Sequence, residues 1–325
     1  MYILMNVKAS IIWEQKFLKK RVEKRIEMAE FSPMMQHYLN TKKEYADCIL
    51  FYRLGDFYEM FFDDAIEVSK ELELTLTGKD CGQPERAPMC GIPYHAAEGY
   101  INKLVSNGHK VAICEQVEDP KAAKGIVKRE VIKVVTPGTN LNSQALDETK
   151  NNYLCSIYYQ GDVIGFSVAD FTTGDFFVTQ LKTESELIDE INKFVPSEII
   201  TNEYFSMSGI DLTFINEKLG ITMSELDNWY FDDDTCKAKL LNHFKLNSLD
   251  GLGVTDYPTG LIASGALLTY LYETQKSEMS HIITLSPYTT GKYMIIDSSS
   301  RRNLELVETL REKQKHGSLI WVLDK

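Results

Sequence analysis

Residues 48–62 read CILFYRLGDFYEMFF, and the Gly55-Asp56 pair at the centre decides how this stretch folds. An aromatic-rich apolar run precedes the pair and another follows it. Glycine at the first central position suits a two-residue type II′ turn, so the stretch predicts a β-hairpin with strands at Cys48–Leu54 and Phe57–Phe62. Strand side chains alternate between faces. Phe57 and Glu59 therefore share a face, with Phe61 beyond them, while Tyr58 and Met60 take the other.

Working outward, Ser32-Pro33 supplies an N-cap and a first-turn proline for a helix reaching about Tyr45. Asp63-Asp64 opens a second helix to about Leu72, and Leu74–Thr77 reads as a strand. Tyr94–Asn107 reads as a helix closed by Gly108. Strands follow at Lys110–Gln116 and Val131–Val135, and Thr136-Pro137-Gly138-Thr139 is a turn that ends the pattern. Residues 140–152 are polar and linker-like.

A second block opens with strands at Tyr153–Tyr159, Val163–Asp170 and Phe176–Gln180. It continues with a helix at Glu184–Phe194, a strand at Glu198–Thr201 and a helix from Asp232-Asp233-Asp234 to about Lys245. Antiparallel strands followed by alternating helix and strand predict an α/β domain with a mixed sheet. Thr259–Lys276 is a helix rich in small residues. Residues 293–325, with a helix over Arg301–Lys315 and a short strand or turn at Leu319–Leu323, are too few to enclose a core. The expected organisation is an N-terminal extension over 1–30, a domain over 31–139, a linker over 140–152, a domain over 153–258, and the incomplete start of a helical domain over 259–325. The extension is basic, with Leu18, Val22 and Ile26 at four-residue spacing, and reads as a poorly ordered terminus or an amphipathic arm.

At 325 residues, 44% hydrophobic and 25% charged, the composition is that of a folded globular protein. The formal charge of −12 argues against coating nucleic acid or an anionic membrane through bulk charge. Residues 141–300 hold 23 acidic and 9 basic side chains, whereas residues 35–140 hold 16 and 13. The first domain is thus the better place to meet a polyanion. Six cysteines, without a C-x-x-C pair, support neither a zinc site nor a redox motif and point to a reducing compartment. No secretory signal and no apolar run of about 18 residues is present. A cytoplasmic protein without a membrane segment is expected.

The hairpin offers a specific chemistry. An aromatic ring at a rigid turn can be driven between bases as a wedge, most easily where pairing is already poor. A carboxylate beside it is repelled by phosphates and is useful only where it reaches a base edge and accepts a hydrogen bond. The plainer alternative is an amphipathic strand with Phe57 in the core and Glu59 in solvent.

GDFYEMF at 55–61, PMCGIPYH at 88–95, VAICEQ at 111–116 and VTPGT at 135–139 together closely resemble the N-terminal part of the MutS family of DNA mismatch-repair proteins. DFTTG at 170–174 resembles that family's connector domain. Residues 297–306, including Arg301-Arg302-Asn303-Leu304-Glu305, resemble the start of its core domain. The resemblance implies an α/β protein in which a mixed-sheet mismatch-recognition domain precedes a ribonuclease H-like connector and the incomplete start of a helical core. It implies double-stranded DNA with mispairs or small insertion loops as ligand. Phe57 would be the stacking wedge and Glu59 the hydrogen-bond partner of the mispaired base. Lys79 would touch the DNA backbone, although Gly78 stands where many relatives carry another basic residue, and Pro88 and Met89 would lie in a loop beside the mismatch. His95 reads as structural.

For the whole-length family the resemblance implies ATP and Mg²⁺, a homodimer, a MutL-type repair partner and a nucleoid-associated, cytoplasmic location. No catalytic residue, cofactor or metal site is expected in these 325 residues, which contain no G-x-x-x-x-G-K-[ST] phosphate loop and so read as an N-terminal piece. Two rival functions fit parts of the same sequence. In one, Asp170 and Asp175 hold Mg²⁺ for ribonuclease H-type cleavage, against a tight turn that needs the same residues for backbone geometry. In the other, the acidic second block is a protein–protein adaptor of the repair machinery.

Overall fold

The computed structural model describes residues 31–118, 125, 127–140, 151–290, 296 and 298–324. The extension expected over 1–30, residues 141–150 of the expected linker, and residues 293–295 lie outside them. The chain divides into two units between Val135 and Thr136, and it is an α/β protein with two mixed sheets.

In the first unit the order is α1 (Pro33–Glu44), β1 (Cys48–Leu54), β2 (Phe57–Phe61), α2 (Phe62–Glu71), β3 (Thr77–Lys79), β4 (Ala87–Pro93), α3 (Ala97–Ser106), β5 (Lys110–Gln116) and β6 (Arg129–Val135). The strands lie in the order β3-β4-β2-β1-β5-β6. Among the described residues of this sheet, only β1 and β5 pair in parallel. Leu54 pairs with Phe57, so the connection is Gly55-Asp56 alone. Gly55 takes φ +59°, as a two-residue hairpin of this kind requires.

Period-2 alternation divides the hairpin as expected. Tyr58 and Met60 enter a core with Ile49, Phe51, Val68, Ile101 and Leu104 under α2 and α3. Phe61 enters a second core with Leu50, Tyr52, Met35 and Tyr38 on the opposite face, which α1 covers. The Tyr38 hydroxyl accepts from the Phe61 N–H (3.2 Å) and lies 3.3 Å from the Phe61 carbonyl. That clamp fixes the inner end of β2.

Two local expectations fail here. The strand placed at Leu74–Thr77 forms instead at Thr77–Lys79, because Leu74 packs against the α2/α3 core. Ala87–Pro93 is a strand, not a loop, so Pro88 and Met89 stand within the sheet. β4 pairs with both β2 and β3. Pro88 is tolerated because β2 has no residue opposite it: their register begins at Met89↔Phe61.

The second unit begins with Thr136 and contains β7 (Tyr153–Gln160), β8 (Val163–Asp170), β9 (Phe176–Leu181), α4 (Glu184–Phe194), β10 (Glu198–Asn202), α5 (Glu203–Met207), α6 (Thr213–Leu219), β11 (Thr222–Leu226), α7 (Asp233–Phe244), α8 (Pro258–Gln275), β12 (Ser286–Pro287), α9 (Ser298–Asn303) and α10 (Leu319–Leu323). Its sheet runs β11-β10-β7-β8-β9-β12. Helix α8, grouped by its sequence with the third unit, lies in the core of the second among Leu154, Val178, Leu240 and Ile282. Small residues permit that approach, since a Cβ on Gly265 would stand 2.3 Å from Cys236 Cβ. The helix expected over Arg301–Lys315 shrinks to Ser298–Asn303 and turns. Leu304 and Leu310 remain exposed, and a helix that buries no apolar face gains little to offset its ordering.

Candidate nucleic-acid interface

The face of the first sheet that carries Phe61 is covered by α1 at one end, and towards the turn Phe57 stands exposed on it while Tyr52 stays buried. Directly paired residues of antiparallel strands share a face, so Glu59↔Gly91, Phe61↔Met89, Thr77↔Met89 and Lys79↔Ala87 place these side chains together. Phe57, Glu59, Lys79 and Met89 are therefore brought to one face. Pro88 is not: paired with Gly78, it belongs to the opposite one.

Phe57 is the first residue after the turn and remains 46% exposed. A large ring left in water at the tip of a hairpin gains nothing for the core and is available to a ligand. Glu59, two residues on, is paired with Lys79, whose ammonium donates to Glu59 Oε2. The pair is partly shielded, at 14% side-chain exposure for Glu59 and 31% for Lys79. Lys79 reaches across β4 to make it. Gly91, opposite Glu59, offers no side chain to obstruct the path, and a Cβ there would touch Glu59 Cγ at 3.5 Å. Lys79 Nζ also stands 5.7 Å from the Phe61 ring centroid.

The hairpin tip is held from both faces by residues that sequence reasoning missed. On the α2/α3 face, Arg53 Nη1 donates to Glu115 Oε1 at 3.2 Å, and the Tyr58 hydroxyl donates to the same oxygen. The Arg53 guanidinium lies 3.8 Å from the Tyr94 ring centroid. Burial, then the Glu115 carboxylate, pushes the Tyr58 hydroxyl above its ordinary pKa. On the Phe57 face, Arg129 Nε donates to the Arg53 carbonyl at 2.8 Å, and its guanidinium lies over the Tyr52 ring. A register shift between β5 and β6 leaves Ile132 unpaired; such bulges re-aim side chains, and this one turns Arg129 to the Tyr52 face. Burial and the Arg129 charge lower the pKa of His37, whose Nδ1 is 2.9 Å from the Tyr52 hydroxyl. The one sequence signal for this scaffold was the charged Arg53 at the end of an apolar strand. His95 contacts Tyr94 edge to face.

Similarity to known proteins shows the family. Residues 32–144 match the family model described as MutS domain I, and residues 152–283 match MutS domain II. The chain belongs to the MutS family. It is 62% identical over 298 residues to DNA mismatch repair protein MutS of Lachnoclostridium phytofermentans, covering 92% of this chain and 32% of that protein. It is 54% identical to the protein of the same name from Ruminiclostridium cellulolyticum, covering 92% and 34%. For Acetivibrio thermocellus the identity is 52%, again covering 92% and 34%. The chain thus spans about a third of the length of these MutS relatives.

In the second unit, the two carboxylates named for the metal-dependent alternative take part in a turn. Asp170 is fully buried. Its Oδ1 accepts from the Thr172 N–H (2.7 Å) and hydroxyl (2.6 Å), and its Oδ2 from the Asn152 N–H (3.2 Å). Asp175 accepts from the Thr173 hydroxyl at 2.9 Å. These are the bonds of a tight turn. Among the described residues no cluster of three or more His, Cys, Asp or Glu is placed to hold a metal ion. All six cysteines are buried free thiols, and no helix of the described residues is long and apolar enough to cross a membrane.

Proposed function

We propose that this chain is the DNA-reading end of a mismatch-repair protein, and that the Phe57 face of its first sheet receives duplex DNA containing a mispair or a small unpaired loop. Phe57 enters the duplex as a wedge and stacks on the poorly paired base. Glu59 accepts a hydrogen bond from that base. Lys79 and Met89 line the same face, while Pro88 supports it from β4. The observation that carries this reading is the exposed Phe57 ring at a two-residue turn, beside a carboxylate on the same face, with the turn braced by Arg53, Glu115 and Arg129. A wedge that must unstack bases at a cost of a few kcal/mol has to be mounted on something that does not bend first.

The names of the relatives support the same reading. In the whole-length protein we propose an ATP- and Mg²⁺-dependent sensor that works as a homodimer in the cytoplasm, on the nucleoid, with the ATPase machinery carried on sequence outside these 325 residues. The second unit, with its excess of acidic groups, would dock a MutL-type repair partner. Catalysis is assigned to no residue of this chain, and the hydrogen bonds already filling Asp170 weigh against the nuclease rival.

The test is a competition experiment in which labelled duplex with one unpaired base is displaced by unlabelled duplex, with and without the defect. The defective competitor is expected to displace at clearly lower concentration. Equal displacement by both refutes the proposed function.

A further inference from the structure

The pairing of Glu59 with Lys79 has a consequence for how the site operates. Two strand spacings separate β2 from β3, about 10 Å, so both side chains must lean across β4 to meet. They do so over the face on which DNA is placed by the proposed function, on which this inference rests. In that posture the Lys79 ammonium and Glu59 Oε2 are engaged with each other. An unpaired carboxylate on this face would also repel the approaching polyanion.

We propose that Lys79 is a positioning residue for Glu59, and that exchange of this ion pair accompanies recognition of a defective base. Without DNA, and on correctly paired DNA, Lys79 keeps Glu59 neutralised and folded over Gly91. At a defect the base edge becomes reachable, Glu59 turns to it, and the released ammonium moves to a phosphate. No covalent bond changes and no proton need transfer. Opening the pair costs free energy, and only a site that offers Glu59 a hydrogen-bond donor offsets that cost, so on correctly paired DNA the pair stays closed. Lys79 thereby contributes to discrimination as well as to grip.

The prediction is non-additivity in a double-mutant cycle. Dissociation constants for a duplex with one unpaired base and for its fully paired control are measured for the parent, Glu59→Gln, Lys79→Met and the double variant, on the 325-residue chain. In the Glu59→Gln background Lys79 has no pair to break. Its removal should therefore weaken binding to the defective duplex at least threefold more than the same removal in the parent. Lys79→Arg, which can keep both contacts, should behave as the parent. Equal fold-losses in the two backgrounds mean that Lys79 is an independent phosphate contact, and overturn the proposal. Loss of the parent's preference for the defect points instead to failure of the mismatch reading. The ion pair is tested without DNA by the same cycle read as urea midpoints: coupling between the two substitutions supports the pair, and strict additivity overturns the proposal whatever the DNA result.

Discussion

Replacing Phe57 by alanine removes the ring and leaves its surroundings intact. A phenylalanine side chain presents roughly 200 Å², and 46% exposure leaves about 90 Å² to be covered by a stacked base. At about 25 cal/mol per Å² that surface contributes about 2 kcal/mol, within the range of about 1–3 kcal/mol found for stacking of one base on an aromatic side chain. At about 1.4 kcal/mol per tenfold, Phe57→Ala should weaken binding to a duplex with one unpaired base by roughly 30-fold. Binding to fully paired duplex, where the ring finds no opening, should change by less than about threefold. Folding should survive, since a half-exposed ring loses less than the roughly 3–5 kcal/mol of a buried one. Fluorescence anisotropy with both duplexes at one fixed salt concentration measures the two constants, and a urea melt checks the fold. If the parent prefers the defective duplex and the alanine variant keeps that preference within twofold, Phe57 is not the wedge.

Three further outcomes follow from buried and half-buried groups. Burial pushes the thiols of Cys48, Cys114 and Cys236 up to about 12 and that of Cys90 to about 11. Their neutral form is held in the folded state, so this stability is complete below the unfolded thiol pKa near about 8.5 and is lost as pH rises towards the folded values. Urea midpoints should fall steeply between about pH 9 and 11, and a thiol reagent at pH 8 should label the native chain far more slowly than the unfolded one; rapid labelling of all six native thiols would contradict the burial. Glu115→Ala removes the acceptor shared by Arg53 and Tyr58 and should cost about 1–3 kcal/mol of folding stability, measured in urea, with a loss of preference for unpaired bases as the hairpin loosens. Asp170→Ala strips acceptors from the Asn152 and Thr172 N–H groups and should cost a similar amount, while incubation of the parent with Mg²⁺ and RNA–DNA hybrid should yield no cleavage products.

The hairpin was legible because its signals are local: alternation sets the faces and Gly55 sets the turn. The strands and helices from β7 to β10 were legible for the same reason. β4 was not, because Pro88, Gly91 and Pro93 in seven residues read as loop, and only pairing on both sides makes the segment a strand. The Glu59–Lys79 pair was hidden for a related reason. Its members are 20 positions apart, and their meeting depends on β4 being inserted between β2 and β3. The Arg129 side of the brace on the hairpin depends on the β5–β6 bulge, which has no sequence signature in this chain. Helix propensity misled over Arg301–Lys315, where local preference has no apolar partner surface to convert it into a stable helix.

The central claim is that the hairpin tip touches the defective base. Photo-crosslinking tests it most directly, with a duplex carrying a single photoreactive unpaired pyrimidine, followed by trypsin digestion and mass mapping of the attached peptide. Attachment is expected within the peptide 54–70, which contains Phe57, with loss of that product when the same pyrimidine is correctly paired. Attachment confined to residues of the second unit, or equal yield from paired and unpaired duplexes, would contradict the claim.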